Sequence, residues 1–465
     1  MSTKKNWDRR KFLQQLTLAG ALYPAKNLLK HPELKRRYAS LGDKISANDQ
    51  IQVGLIGCGI QGFANARTIT EIPGIKIISA CDLYDGHHIS IKEQFGADIK
   101  TTRDYREVIN DPEVDAVIIS TPDHWHDHMT IEALGAGKHV YCEKPMVHHL
   151  SEGHAVIKAA SESTKILQIG SQRVSSIVYE KARDLFQEGA IGTLNLADIE
   201  YDRHSALGAW QYSIPTDASP ETIDWSRFIG DAPPVGFDPV RFFRWRNYQD
   251  YGTGMAGDLF VHLFSGLHLI TGSTGPERIY ATGGLRYWKD GRDVPDVMLG
   301  SYDYPATASH PAFNVQMRCN FVDGSGGGSS IRLIGSEGVM TITARGIQLE
   351  KNKLNTAPGY GGWDTYGTFS NEGKETFKIW YESKYPSEVS IIEPSEFEYG
   401  APRGYNSHFD HHLNFVEAIR NNGSVTEDAI FGLRAAGPAL ACNMSYFEQR
   451  IVHWDPEVMK VVSTM

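Results

Sequence analysis

The chain has 465 residues, 41% hydrophobic and 22% charged, an ordinary globular composition with room for two or three domains. Its net charge of −10 and pI near 6.0 exclude the basic footprint that non-specific nucleic-acid binding requires. No run of about 18 apolar residues occurs, so no segment reads as a membrane-spanning helix.

In chain order, Asp8-Arg9-Arg10-Lys11-Phe12-Leu13 precedes a mildly apolar stretch at 16–22. Paired arginines followed by Phe-Leu and a modest apolar region have the form of a twin-arginine export signal. Residues 1–48 are therefore set aside as signal and linker, and the protein is expected to be periplasmic or exported; a frayed basic N-terminal helix on a cytoplasmic protein is the plain alternative. From Ile51 the pattern becomes strand, glycine turn, helix, strand: Ile51–Ile56, then a small-residue helix over 63–72, then Ile75–Cys81. Apolar runs at Ala116–Ile119, 139–142 and 166–169 alternate with helical patterns such as 126–136. That alternation predicts a doubly wound parallel sheet over 49–172. Residues 173–465 are expected to form an α+β domain with antiparallel strands that bury one face. Its clearest strand has Phe313, Val315, Met317, Cys319 and Phe321 alternating with polar residues, and 324–328 reads as a hairpin turn after it. Strands at 331–334 and 339–343 continue the meander. Residues 351–400 have weak periodicity and read as long loops. Helical patterns return at 411–420 and 429–446 and are expected to come back towards the first domain. The five cysteines lack any CxxC spacing, which argues against a disulfide framework or zinc site, and Cys58, Cys81 and Cys142 read as small buried residues.

Four motifs carry chemistry. Gly57-Cys58-Gly59-Ile60-Gln61-Gly62 lies between a strand and a helix, where backbone N–H groups hold a pyrophosphate. Asp82 ends the next strand, where a carboxylate would bind ribose hydroxyls and disfavour a 2′-phosphate, so the cofactor expected is NAD. Ser120-Thr121-Pro122-Asp123-His124-Trp125-His126 follows the Ala116–Ile119 strand and should face the cofactor. His126 and His128 would point to different helix faces with no carboxylate or thiolate cluster beside them, so no metal is expected. Glu143-Lys144-Pro145 ends another strand; Lys144 could polarise or protonate a substrate oxygen, though alone it would read as a surface lysine. Finally, Asp258 and His262 are four apart and share a face on a helix, with Leu259, Leu263, Leu267 and Ile270 as its core stripe. Asp258 could orient His262 as a base for a hydroxyl proton; a capping Asp with a buried, satisfied His is the plain alternative. Gln172 and Arg173 follow a strand end and border the same pocket. Trp210 and Tyr212 fall in a loop. Arg244-Trp245-Arg246-Asn247-Tyr248 offers a stacking ring and donors, or else a core tryptophan with solvated arginines.

In this order, the fingerprint, the Thr-Pro loop with its histidines, Glu-Lys-Pro and Asp-x3-His resemble the glucose–fructose oxidoreductase, inositol dehydrogenase and MocA family (Gfo/Idh/MocA). The resemblance covers about residues 50–345. It implies Lys144, Asp258 and His262 as the catalytic set and a large, open, mostly antiparallel sheet in the second domain; the motifs themselves place a dinucleotide at Gly57, Gly59, Ile60, Gln61, Gly62, Asp82, Ser120, Thr121, Pro122, His124, His126, Glu143, Lys144 and Gln172. The positions and residue types read above put a sugar or glycoside near Arg173, Trp210, Tyr212, Arg244, Trp245 and Tyr248, and the resemblance implies a homo-oligomer through the C-terminal sheet. The activity expected is hydride transfer between a ring carbon and NAD(H). Glycoside cleavage by transient oxidation, elimination and reduction is the alternative, and a non-catalytic NAD-binding sensor is a third reading.

Overall fold

The computed structural model describes residues 32–38, 41, 50–352, 354–355, 357–385, 391–392 and 394–462. Arg9, Arg10 and the apolar stretch at 16–22 lie outside the described residues. The end of the supposed linker is part of the fold. Helix α1 (Pro32–Arg37) buries Leu34 completely, and the Asp410 carboxylate accepts from Arg37 Nη1 at 2.5 Å and Tyr38 Oη at 2.6 Å. One leucine and two polar anchors leave no periodicity to read, so the sequence pattern hides this docking.

Strands β1 (Ile51–Ile56), β2 (Ile75–Cys81), β3 (Lys100–Thr102), β4 (Ala116–Ile119), β5 (His139–Glu143) and β6 (Leu167–Gly170) form a six-stranded sheet in the order β3-β2-β1-β4-β5-β6. Every pairing is parallel. Helices α2 (Ile60–Thr70), α3 (Asp85–Phe95), α4 (Tyr105–Ile109), α5 (His126–Gly135) and α6 (Gly153–Glu162) supply the crossovers. β1 and β4 read as almost unbroken apolar runs because both faces of this sheet are covered.

After α7 (Ile177–Gln187) and β7 (Leu194–Asp202), helix α8 (Val261–Thr271) lies under a second sheet. The sheet continues with β8 (Arg278–Gly284), β9 (Val297–Tyr304), β10 (Phe313–Asn320), β11 (Gly328–Gly335), β12 (Gly338–Ile342) and β13 (Gly346–Lys351). Next come the short pair β14 (Leu354–Asn355) and β15 (Ile391–Ile392), with helix α9 (Asn371–Lys384) between them, and then β16 (Ser395–Gly400). Helices α10 (Ser407–Asn421) and α11 (Ala429–Glu448) lead to β17 (Val452–Asp455) and β18 (Lys460–Val461). The ten strands run β16-β13-β12-β11-β7-β10-β9-β8-β17-β18. Phe313, Val315, Met317 and Cys319 point inward while Asn314, Gln316 and Arg318 are exposed, as their period of two predicts. Leu259, Leu263, Leu267 and Ile270 are all buried against this layer. α10 turns back onto the first sheet, where Phe409, Leu413, Phe415 and Val416 share one core with Val53, Leu55 and Tyr141.

Two expectations are corrected. The 324–328 turn does not close a hairpin, because β7 lies between β10 and β11, parallel to the first and antiparallel to the second. Asp323 N–H donates to Arg203 O at 3.0 Å, so the turn passes over the end of β7. Residues 351–400 are not only loops: they hold α9, and β16 pairs with β13. No residue of α9 is buried; its rings pack on one another and on Tyr360, Tyr366 and Phe369, which leaves no core-facing stripe for a period to reveal. Its start was legible in Ser370, whose side chain caps Gly373 N–H.

Close packing around α8 generates a test. A Cβ on Gly266 would stand 2.3 Å from Cε1 of the buried Tyr179 ring. Gly266→Ala is expected to cost about 1–3 kcal/mol by overpacking, read as a lower urea midpoint at unchanged slope.

Candidate active site

The carboxyl ends of β1, β2, β4 and β5 open into two adjoining cavities of ≈310 and ≈390 Å³ that share Ile60, Gln61, Ser120, Thr121, Tyr212, Trp245 and Arg246. The first borders the glycine turn. Gly57 has φ +88, and a Cβ there would stand 2.6 Å from Ser120 O. A Cβ on Gly62 would stand 2.0 Å from Gly57 O, so the turn and helix meet too closely for any side chain. A Cβ on Gly59 would meet nothing within 4 Å. Gly59 caps α2 without a side-chain acceptor, so N–H donors of the first turn face open space shaped for a pyrophosphate. The buried Thr121 Oγ1 has no hydrogen-bond partner among the described residues. This donor set fits a dinucleotide.

Asp82 stands in the same cavity. Its carboxylate accepts from Cys58 N–H at 2.7 Å and Tyr84 N–H at 2.9 Å, and His87 Nδ1 lies 3.1 Å away. Burial opposes its ionisation, but the His87 charge and these donors prevail and hold the carboxyl below its usual range. Asp82 therefore braces the glycine turn as well as facing the cavity. His87, which the motif reading missed, completes this end.

The second cavity contains Lys144, Asp258 and His262. Lys144 Nζ donates to Asp258 Oδ1 at 2.7 Å and to Asp258 O at 2.9 Å, and Arg246 Nε donates to the same Oδ1 at 3.2 Å. Burial would raise the Asp258 pKa, but the Lys144 and Arg246 charges outweigh it and hold the carboxyl well below the usual carboxylate range. Asp258 belongs to a π-helical turn, Ala256–Phe260, that runs directly into α8. The expected Asp258–His262 contact is replaced by this ion pair, because two cations take the carboxylate oxygen. His262 Nδ1 is buried with no hydrogen-bond partner among the described residues. Burial first, then the Lys144 and Arg173 charges, press the imidazole well below its ordinary pKa, so it is neutral near pH 7.

Glu143 organises the junction. Its Oε1 accepts from Asn65 Nδ2 (2.9 Å), Gln61 Nε2 (3.0 Å) and Gln172 Nε2 (3.2 Å), while burial pushes its pKa up. Asn65 Nδ2 also reaches Ser120 Oγ at 3.1 Å. His126 lies between Pro145 O (2.7 Å) and Thr121 O (3.0 Å), locking the Thr-Pro loop to the Glu-Lys-Pro strand end. Pro122 and Ile60 line the cavity walls.

Three expected site residues are elsewhere. His124 is sequestered, its ring nitrogens facing Phe228 O (2.9 Å) and Tyr251 O (3.3 Å), and burial lowers its pKa to about 4. It borders neither cavity, because the helical turn at Asp123–Trp125 directs it into an aromatic cluster. Arg244 Nε donates to Tyr212 O at 2.8 Å and braces that loop from behind. Tyr248 is packed with Phe228 and Tyr251, under the Arg241 guanidinium. Trp210 reaches the cavity wall but is only 1% exposed and packs edge-on to Phe321. Arg173, Tyr212 and Trp245 do line the cavities. Tyr201, Arg203, Arg246 and His408 line the second cavity although they were not expected there. Arg246 adjoins an expected residue; Arg203 and His408 lie in segments with no motif, so nothing in the sequence marked them.

The open space at Gly59 gives a second test. Gly59→Val is expected to change stability by less than about 0.5 kcal/mol and to weaken NADH binding at least about 10-fold, measured by cofactor fluorescence.

Residues 51–171 match the model of a family described as "Oxidoreductase family, NAD-binding Rossmann fold". The chain is 30% identical over 197 residues to the uncharacterized oxidoreductase YrbE of Bacillus subtilis (strain 168), covering 42% of this chain and 53% of that one. It is 33% identical over 144 residues to the scyllo-inositol 2-dehydrogenase (NAD(+)) of the same organism, covering 31% and 42%. The chain thus spans about half the length of the curated relatives it matches. A solved levoglucosan dehydrogenase, in complex with NADH and levoglucosan, shares the fold with a TM-score of 0.59 at 20% identity, covering 87% of this chain and 99% of that one. Over residues 51–171 the chain carries the NAD-binding Rossmann domain of the Gfo/Idh/MocA oxidoreductase family.

Proposed function

We propose that the protein is an NAD-dependent oxidoreductase that converts a ring hydroxyl of a sugar or glycoside to a ketone. The observation that carries this reading is the Lys144–Asp258 pair beside a neutral, unpartnered His262, in a cavity continuous with the glycine-turn cavity. NAD, when bound, accepts the hydride of the carbinol carbon. His262 takes the hydroxyl proton, a role open to it because its imidazole is unprotonated near pH 7. Lys144, oriented by the Asp258 carboxylate and carbonyl, donates to the substrate oxygen as negative charge develops on it. Asp258 is a positioning residue: it fixes the lysine. Trp245 and Tyr212 supply apolar walls for a sugar ring.

The proposal extends to assembly and location. The outer face of the ten-stranded sheet exposes Tyr280, Asn314, Gln316 and Arg332, which supports a homo-oligomer formed through it. The paired arginines Arg9 and Arg10 support export.

With a panel of sugars and glycosides, sustained NADH formation at 340 nm is expected. Lys144→Met and His262→Asn should each lower kcat by about 10²–10⁴-fold, while circular dichroism still reports a folded chain. Full turnover in both variants would sink the assignment, and glycoside cleavage without net NADH would replace it with the transient-oxidation route. The pH profile supplies an independent check. Because the folded-state pKa of His262 is depressed, the base stays unprotonated as pH falls through about 6.5, the ordinary histidine value. kcat/KM for oxidation is therefore expected to hold from pH 8 to about 6.5, with its acid limb below that. A limb above pH 7 would exclude His262 as the base.

A further inference from the structure

Ion pairing in the second cavity leaves a charge imbalance. Asp123, Glu143 and Asp258 are its carboxylates, and each is already engaged. Asp258 is shared by Lys144 and Arg246. Glu143 is taken by the three side-chain amides. Asp123 Oδ2 accepts from Thr253 N–H at 2.9 Å and Thr253 Oγ1 at 2.7 Å. Two further guanidiniums line the cavity, and neither meets a carboxylate within 4.0 Å among the described residues. Arg173 reaches only hydroxyls, Tyr179 Oη at 3.4 Å and Ser329 Oγ at 3.2 Å. Arg203 Nη1 donates to Gly208 O at 2.7 Å. Both lie over the Tyr201 ring, 5.0 and 5.3 Å from its centroid. Neither side chain is on the open surface, and partly buried charges of one sign without counter-charge are costly unless a ligand answers them.

We infer that Arg173 and Arg203 form a carboxylate subsite, so that the substrate is an acidic sugar, a uronic acid or its glycoside, rather than a neutral one. This rests on the oxidoreductase reading above. Arg173 and Arg203 line the same cavity as Lys144, Asp258 and His262. The anionic group therefore lies within the same small molecule as the reacting hydroxyl. Planar guanidiniums favour a planar carboxylate, which each can meet with two parallel N–H donors. Tyr201 packs beside both guanidiniums, 5.0 and 5.3 Å from its ring centroid, and Arg173 answers only neutral hydroxyls and Arg203 only a carbonyl, partners that a carboxylate would outcompete. A ring-borne carboxylate fits a cavity of ≈390 Å³ that also admits the reactive end of the cofactor.

The test is calorimetric titration of the NADH-loaded full chain. Glucuronate and galacturonate are each compared with the neutral parent sugar, the methyl ester of glucuronate and glucose 6-phosphate. At least one acid is expected to bind about 10-fold or more tightly than its parent and its ester, with the preference shrinking as salt is raised. Arg173→Gln and Arg203→Gln should each reduce that preference about 10-fold; Arg203→Lys, which keeps the charge and the stem packed on Tyr201, should keep part of it. Equal binding of acids and parents, tighter binding of the phosphate, no binding by any acid, or loss of acid and neutral binding alike in folded variants would overturn the inference. Turnover separates it from the parent reading. A neutral sugar oxidised with no acid preference defeats the subsite and leaves the dehydrogenase; an acid bound selectively but never oxidised defeats the dehydrogenase and leaves the subsite.

Discussion

A carboxylate buried between two sheets has to be answered by cations, and the geometry of this site follows from how Asp258 is answered. Lys144 comes from the end of β5 in the parallel sheet, Arg246 from the loop that borders both cavities, and Asp258 itself from the turn that starts α8. One oxygen atom thus ties three separate parts of the chain together. Removing a partner would leave charge without compensation in a site shielded from water, so the pairing fixes distance as well as sign. The widened π-helical turn fits this arrangement, since it lets the Asp258 carbonyl as well as its side chain face Lys144.

Around that pair the protein sets protonation states by burial. His262 is kept neutral and Glu143 is shifted towards its neutral form, each because desolvation outweighs what its neighbours offer. Asp82 shows the reverse: equally buried, it stays ionised because two backbone N–H groups and His87 are aimed at it. Depth alone therefore does not decide charge here; three neutral amides leave Glu143 shifted up, whereas the charge of His87 beside Asp82 tips that carboxyl the other way. The side-chain amides of Gln61, Asn65 and Gln172 satisfy Glu143 without adding charge, which preserves the excess of cations in the second cavity.

Much of the first sheet was legible. Runs such as Ile51–Ile56 and Ala116–Ile119 are apolar because they are covered on both sides, and the glycine spacing admits few alternatives when a Cβ on Gly62 would stand 2.0 Å from Gly57 O. Strand β10 was legible for the opposite reason, since only one of its faces is buried. The insertion of β7 between β10 and β11 was not, because strand order in a sheet is decided by partners far apart in sequence. Among the site residues, Gly57, Gly59, Asp82, Glu143 and Lys144, at strand ends and in the glycine turn, line the two cavities. His124 was misplaced because a single turn of helix reverses the direction of its ring. Arg203 was missed because its importance lies in what it lacks, a carboxylate partner, and no sequence pattern records an absence.

The docking of α1 bears on how the chain can be processed. Leu34 is sealed inside the fold, and the Asp410 carboxylate, whose side chain is wholly buried, depends on Arg37 and Tyr38 for two of its donors. A proteolytic cut ahead of Pro32 would leave that cluster whole. A cut a few residues later would strip a buried carboxylate of its cation and leave the Tyr405 hydroxyl to hold it alone. A shortened chain would keep this cluster, and the stability it carries, only if its amino terminus fell upstream of that leucine.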